Sequence, residues 1–277
     1  MAEGQLSVCA TPIGNLGDVS DRLRQVLSEA EVVYAEDTRR TSKLLSHVGS
    51  RPKLRSLFAG NERERTAELL SDISNGMRVV LVSDAGMPTV SDPGAEAVRE
   101  ARKAGFSVTV VPGPSAVTTA VTASGFEADR FVFEGFLPRK GKERRSRLAG
   151  IAADERTVVL FASPHRLEGD LKDLLAELGG ERQIAVAREL TKLHEEVWVG
   201  SLTDAIERWS GDVRGEITIV IEGGTPVLVS EGEAIRQAVD LIATGMSRSD
   251  ASRQTATSTG VSKRVIYEAL LEAQDSI

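Results

Sequence analysis

At 277 residues, 41% hydrophobic and 27% charged, the chain can bury a sizeable core in two or more domains. A net charge of -7 excludes a molecule that traps nucleic acid over its whole surface, so any such contact needs a local basic patch. Cys9 is the single cysteine, which excludes internal disulfides and a cysteine-rich metal site.

No apolar run reaches the roughly 18 residues of a membrane span. Met1-Ala2-Glu3-Gly4-Gln5 lacks the basic and apolar regions of a signal peptide. No membrane association, no metal and a reducing, cytoplasmic location are therefore expected.

Residues 6–10 predict a short strand, with Thr11-Pro12-Ile13-Gly14-Asn15-Leu16-Gly17-Asp18 as the loop after it. A helix follows, capped by Asp18 or Ser20, with Leu23, Val26, Leu27 and Ala30 inward. This is the opening unit of a doubly wound fold. It carries neither the dinucleotide fingerprint nor a P-loop, and its loop suits plain turn chemistry as well as a ligand. Residues 32–35 predict a second strand that ends in Glu36-Asp37-Thr38-Arg39-Arg40-Thr41. Acids beside paired arginines suit a polar substrate, and equally a helix start capped by Thr38 or Thr41. A third strand at 54–57 and a charged helix over 61–74 lead to Gly76.

The run 79–82 then predicts a buried strand that enters Ser83-Asp84-Ala85-Gly86-Met87-Pro88 and, two residues later, Ser91-Asp92-Pro93-Gly94. A plain connector needs only about 2–6 residues. Ligands of open α/β sheets bind at the carboxyl ends of strands, so this loop is the leading candidate for a binding segment. A surface connector is the alternative. A helix is expected from Ala95, with Ala97, Val98 and Ala101 on one face, and a strand over 106–111 stops at Pro112-Gly113-Pro114. Ser115 is expected to cap a helix of small residues through Ala123, which permits close packing or close approach of a ligand.

Residues 130–133 and Glu134-Gly135-Phe136-Leu137-Pro138 precede Arg139-Lys140-Gly141-Lys142-Glu143-Arg144-Arg145-Ser146-Arg147, six cations with one acid among them. Mutual repulsion makes this a poor helix stabiliser, and phosphate contact is the better reading than a solvated helix start. Strands are expected at 157–161, ending in Ala162-Ser163-Pro164-His165-Arg166, at 183–188, leading to Glu189-Leu190-Thr191-Lys192, at 197–200 and within 215–223. From Ser230 the pattern turns helical: Ile235, Ala238, Val239, Ile242 and Ala243 mark one helix, Ser247 starts a second, and Gly260-Val261-Ser262-Lys263-Arg264 a third. The last two predict a helix-turn-helix, with a helical cap as the alternative. The order of elements predicts an α/β protein of two lobes, 1–114 and 115–228, joined near 114–129 with a cleft between them. A small helical domain, 229–277, completes the chain.

Four ordered blocks resemble the tetrapyrrole methylase superfamily: Thr11-Pro12-Ile13-Gly14-Asn15-Leu16, Ala35-Glu36-Asp37-Thr38-Arg39, the 83–94 loop and Pro112-Gly113-Pro114. The blocks at 134–138 and 161–166 extend the resemblance over nearly the whole chain. The branch they resemble methylates the 2′-hydroxyl of a cytidine in bacterial small-subunit 16S ribosomal RNA. That resemblance implies S-adenosylmethionine as cofactor, held in the cleft by Pro12, Asp84, Ala85, Gly86, Met87, Pro88, Ser115, Ala116, Phe161, Ala187, Arg188, Gly215, Glu216 and Ile217. It implies a homodimer acting on the assembled small ribosomal subunit. Asp37, Glu189 and His165 are the candidate general bases. Arg39, Arg166 and Lys192 are candidates for positioning phosphates, with Arg139, Lys140, Lys142, Arg144, Arg145 and Arg147 in the basic run and Lys263 and Arg264 in the helical tail. The commoner family pattern has Tyr-Glu where Phe161-Ala162 stands, which leaves position 162 without an acid. A corrin-type small-molecule methylase, and an RNA-binding protein with a relic methylase core, are the competing readings.

Overall fold

Five parallel strands open the structure: β1 (Gln5–Cys9), β2 (Val32–Ala35), β3 (Lys53–Ser56), β4 (Arg78–Val82) and β5 (Ser107–Val111), in the order β3-β2-β4-β1-β5. Parallel strands covered on both faces need continuous apolar runs. Val79, Val80, Leu81 and Val82 supply one, and all are buried. On one face α1 (Asp21–Glu29) and α2 (Thr38–Val48) set Leu23, Leu27, Leu44 and Leu45 against Cys9, Val33, Val80 and Val82. On the other, α3 (Glu62–Ser74) and α4 (Ala95–Lys103) set Leu69, Ile73, Ala97 and Ala101 against Leu6, Tyr34 and Leu81. The neighbours β1 and β4 thus send their chains to opposite faces, and the loops that leave them open a crevice at the sheet edge.

The computed structural model describes residues 4–224 and 230–272, in two compact units, 1–223 and 224–277. The first three residues and the expected boundary at 228/229 lie outside the described residues. A second sheet in the first unit joins β6 (Phe131–Phe136), β7 (Thr157–Ala162), β8 (Gln183–Arg188), β9 (Glu196–Ser201) and β10 (Ile217–Ile221), in the order β6-β7-β10-β8-β9. Only β6 and β7 run parallel; the other pairs are antiparallel. The small-residue helix α5 (Ala116–Ser124) covers one face, with Val117, Ala120 and Val121 against Val159, Ala187 and Val220. Ile13, from the loop after β1, joins this cluster. The other face is packed by α6 (Gly141–Ala153), α7 (Leu167–Leu178) and α8 (Leu202–Arg208). The chain is α/β as expected, two sheets with their helices and a helical C-terminal unit.

Local capping settles the choice at α1 and departs from expectation at α2 and α5. Ser20, not Asp18, caps α1 through its hydroxyl to the Leu23 N–H at 3.1 Å, while Asp18 ends a single 3-10 turn that Asn15 caps. Asp37, rather than Thr38 or Thr41, caps α2, its carboxylate accepting from the Arg39 N–H at 2.9 Å. Ser115 holds the cap position of α5 but its side chain makes no capping bond, so its hydroxyl is not committed to the helix.

In the second unit α9 (Glu231–Ala243), α10 (Arg248–Thr259) and α11 (Lys263–Glu272) share a small core of Ala234, Ala238, Ile266 and Leu270. Ser230 and Ser247 cap the first two helices, and Gly260, at φ 72°, ends the second in the left-handed conformation. No helix among the described residues is long and apolar enough to cross a membrane.

Candidate active site

A cavity of about 360 Å³ lies where the loops after β1, β4 and β5 meet the ends of β6, β7 and β8 and the start of β10. Gly86, in its wall, is tied to the loop after β1. Thr11 and Gly86 exchange both N–H···O bonds, at 2.9 and 3.1 Å, and the Thr11 hydroxyl donates to the Ser83 carbonyl. This two-loop bridge forms because β1 and β4 are adjacent and end in register. Gly86 sits at φ 78°, a conformation that a side chain strains. Gly215 sits at φ 98°, which favours glycine, and a Cβ there would stand 2.5 Å from the Glu189 side chain.

Of the expected donor-site residues, Ala85, Gly86, Met87, Ser115, Ala116, Phe161, Ala187, Gly215, Glu216 and Ile217 line this cavity. Pro12 and Asp84 instead line a separate cavity of about 210 Å³, with Arg40 and Lys43. Pro88 and Arg188 line neither, and Arg188 is paired with Glu196 at 3.1 Å.

Two carboxylates, Asp92 and Glu216, line the cavity, and Asp84 and Glu36 lie near enough to interact with Asp92. Burial raises the proton affinity of Asp92, Asp84 and Glu216 raise it further, and a hydrogen bond from Ser83 offsets part of this. Burial likewise raises Glu36, helped by Asp92 and Asp84. Asp84 accepts from the Asp37 N–H at 2.8 Å and faces Arg40 at 3.6 Å. Arg40 also reaches Glu216 at 3.9 Å, and Lys192 donates to Glu216 at 2.9 Å and to Glu189 at 2.6 Å. Among the described residues four non-glycines have positive φ: Thr89, Ser91, Glu189 and Thr191. They fall on the two loops that flank the cavity. Such strain costs of order 1–3 kcal/mol per residue and collects at functional sites.

The three candidate bases are placed differently. Asp37 is tied by Arg39, whose guanidinium and backbone N–H hold its carboxyl down to about 2. Glu189 is lowered too: burial works against this, but the Lys192 ammonium and the Glu216 N–H prevail. His165 is exposed on the one-turn 3-10 helix Pro164–Arg166, beside the cavity residue Pro164.

The candidate RNA contacts also divide. Arg139, Lys140, Lys142 and Arg145 are exposed and make no ion pair among the described residues. Arg144 is turned inward, only 8% exposed, where it donates to Asp170 and Asp173 and to the Pro138 carbonyl. Helical spacing places it on the face that packs on α7, so it is not free for phosphate. Arg147 pairs with Glu134, and Arg166 donates to the Leu137 and Pro138 carbonyls and to Asp170. Arg39 is committed to Asp37, and Lys192 to the two glutamates. Lys263 and Arg264 are exposed at the start of α11. Among the described residues no cluster of three His, Cys, Asp or Glu groups could hold a metal ion.

Asp92, which reads as turn chemistry in the sequence, lines the cavity, and so do Ile13, Val90, Ser91, Phe136, Ser163 and Leu190. A signal existed for Asp92, an acid two residues before a glycine in the loop already singled out. None existed for Leu190 or Val90, which local sequence cannot distinguish from core.

Residues 5–206 match the family model of the tetrapyrrole (corrin/porphyrin) methylases. The fold agrees: the Thermus thermophilus uroporphyrin-III C-methyltransferase complexed with S-adenyl homocysteine superposes with a TM-score of 0.57, over 78% of this chain and 97% of that one, at 20% identity. The chain belongs to the tetrapyrrole methylase family. Within it, the chain is 46% identical to the Mycobacterium tuberculosis protein named Ribosomal RNA small subunit methyltransferase I, over 99% of this chain and 97% of that protein. The Thermotoga maritima protein of the same name is 45% identical over 79% of this chain and 99% of its own length.

Proposed function

We propose that the chain transfers the methyl group of S-adenosylmethionine to the ribose 2′-hydroxyl of a cytidine in 16S RNA, as a homodimer acting on the assembled small ribosomal subunit. One observation carries this reading. A cavity lined by Asp92, Glu216 and apolar side chains stands in a chain that matches, over nearly its whole length, relatives named for small-subunit ribosomal RNA methylation. The cavity suits the donor in three respects. Its volume is that of a small-molecule site. Its walls offer backbone groups and apolar side chains. Its carboxylates favour a cation, and the donor is a sulfonium.

The donor, when bound, supplies an activated methyl: the S–C bond breaks as the O–C bond forms, and the hydroxyl proton leaves. The rest falls to the chain. The Thr11–Gly86 bridge and the Gly215 approach fix the walls before the reactants arrive, and orientation of this kind is worth up to about 7–11 kcal/mol of a barrier. Asp92 stands in the wall with a raised proton affinity, which suits it to accept the hydroxyl proton. Asp37 and Glu189, stabilised as carboxylates by their cationic partners, are weaker bases and serve better as braces for α2 and the β8 loop. Arg139, Lys140, Lys142 and Arg145 give the RNA backbone its contact.

The test is methyl-group mapping of small-subunit RNA from cells with and without the protein. The expected result is one ribose methyl lost from a cytidine and restored by the wild-type chain. An unchanged methylation map sinks the proposal.

A further inference from the structure

Phe136 ends β6, lines the cavity and is 53% exposed. Single exposed apolar residues are ordinary, but this one is aimed. The pairing of β6 with β7 runs Phe133↔Val159, Gly135↔Leu160, Phe136↔Phe161, which leaves Glu134 as the extra residue of a bulge, with Gly135 at φ 63°. Residues three apart on a regular strand lie on opposite faces. Here Phe133 and Phe136 oppose residues two apart on β7, so the bulge brings both to the same face.

Their rings meet Phe161 from either side, Phe133 at 4.9 Å between centroids and Phe136 at 5.6 Å, tilted by 67° and 58°. The bulge is held in place. Arg147 donates to the Glu134 carbonyl and pairs with its carboxylate, and a Cβ on Gly135 would stand 3.3 Å from the Ser91 hydroxyl. None of this is needed to cover Phe161, which Phe133 already packs against. Its product is an aromatic ring with half its surface open at the cavity mouth.

The chain that follows Phe136 is fixed as well. Arg144 and Arg166 donate to the Pro138 carbonyl, and Arg139, Lys140 and Lys142 come next, exposed and without ion pairs among the described residues. An open aromatic face beside unpaired cations is the combination that binds single-stranded nucleic acid: a base stacks while phosphates meet the charges.

We propose that Phe136 is the platform on which a base of the substrate strand stacks, setting the nucleotide at the cavity mouth. This rests on the RNA-methylation reading and assigns that site its base subsite. A ring accepts any base, so the platform positions the strand and does not select its sequence.

The test compares Phe136→Ala, Phe136→Tyr and Phe136→Trp. For Phe136→Ala, kcat/KM on small subunits lacking the methyl group should fall by about 5- to 150-fold, carried mainly by KM. Because Phe136 also lines the cavity, the variant's affinity for S-adenosylmethionine by calorimetry should fall several-fold less than kcat/KM, and that retained binding also shows that the fold is intact. Tyr and Trp should restore most of the loss. If Phe136→Ala weakens S-adenosylmethionine by as much as it lowers kcat/KM, the ring belongs to the donor and the proposal is overturned, as it is if neither quantity moves. A second reading is independent of turnover: a single-stranded cytidine-containing oligoribonucleotide should quench the added fluorescence of Phe136→Trp, corrected for Trp198 and Trp209 in the wild type. Quenching by a protein that methylates no small subunit leaves the platform standing and removes the methylation reading. Absence of quenching removes the platform.

Discussion

Asp92 and Glu36 hold their protons more tightly than free carboxyls, because burial and neighbouring acids disfavour their charge. The sign of the consequence is fixed by linkage. The folded state keeps protons that the unfolded chain has already released, so each group subtracts stability as the pH rises through its folded value. Asp37 behaves in the opposite way: its folded value, about 2, lies below the ordinary 3.8, so its contribution is present above 3.8 and is lost as the pH falls toward 2. A cation in the cavity should relieve Asp92, which lines it, and through it Glu36. The affinity ratio of S-adenosylmethionine to S-adenosylhomocysteine, which lacks the sulfonium charge, should therefore rise with pH just above the ordinary carboxyl values of 3.8 and 4.5. Asp92→Asn should flatten that rise. Calorimetry of both ligands across this range checks it, and a ratio indifferent to pH in the wild type excludes the electrostatic account.

At the scale of the element, α6 divides one charge run between two tasks. Its inward cation, Arg144, is bound to Asp170, which is buried, and to Asp173, which is half exposed. Removing one partner of a buried pair typically costs about 3–5 kcal/mol, and the exposure of Asp173 places Arg144→Ala at about 3 kcal/mol. That loss should be read from the denaturant midpoint, and the loop carrying Leu137 and Pro138 should loosen with it. Neutralising Arg139, Lys140, Lys142 and Arg145 together should change stability by no more than about 0.5 kcal/mol. RNA binding should weaken strongly, with the salt slope reduced by about 0.7 for each phosphate that the variant no longer neutralises. Equal effects of the two variants on stability, or an unaltered salt slope in the second, contradict this division.

At the scale of the whole molecule, the first unit contains both sheets, their four core clusters and the complete cavity lining, while the second has its own small core. The Thermotoga maritima relative aligns over 99% of its length with only 79% of this chain, close to the share held by the first unit. A fragment of residues 1–223 is therefore expected to fold, to give in light scattering the dimer proposed for the whole chain, and to bind S-adenosylmethionine within about twofold of the full chain. Its methylation of small subunits should weaken, because the cations at the start of α11 are gone. A monomeric mass removes the dimer, and a fragment that cannot bind the donor shows that the second unit is needed for the cavity.

The elements themselves were legible in the amino-acid order, because each depends on short-range physics. The run 79–82, closed by turn residues, reads as a strand buried on both faces, the spacing of Leu23, Val26 and Leu27 reads as a helix turned inward, and the crowded glycines and prolines of 83–94 mark a shaped loop. Much of the cavity lining was legible by the same loop chemistry, joined to the family's ordered blocks. Tertiary structure alone decided which charges are free. Arg144 and Arg145 are adjacent and chemically identical, yet helical geometry buries one against Asp170 and exposes the other. Glu189 and Lys192 read as reactive groups in isolation, but Glu216, distant in the chain, ties up both through its backbone N–H and its carboxylate, whereas Asp37 is held by its near neighbour Arg39. Asp92 and Phe136 gained their places only because a parallel register brought β4 beside β1, and because one extra residue in β6 reversed the direction of a ring. Register and bulge are properties of paired strands, and no single strand's sequence specifies its partner.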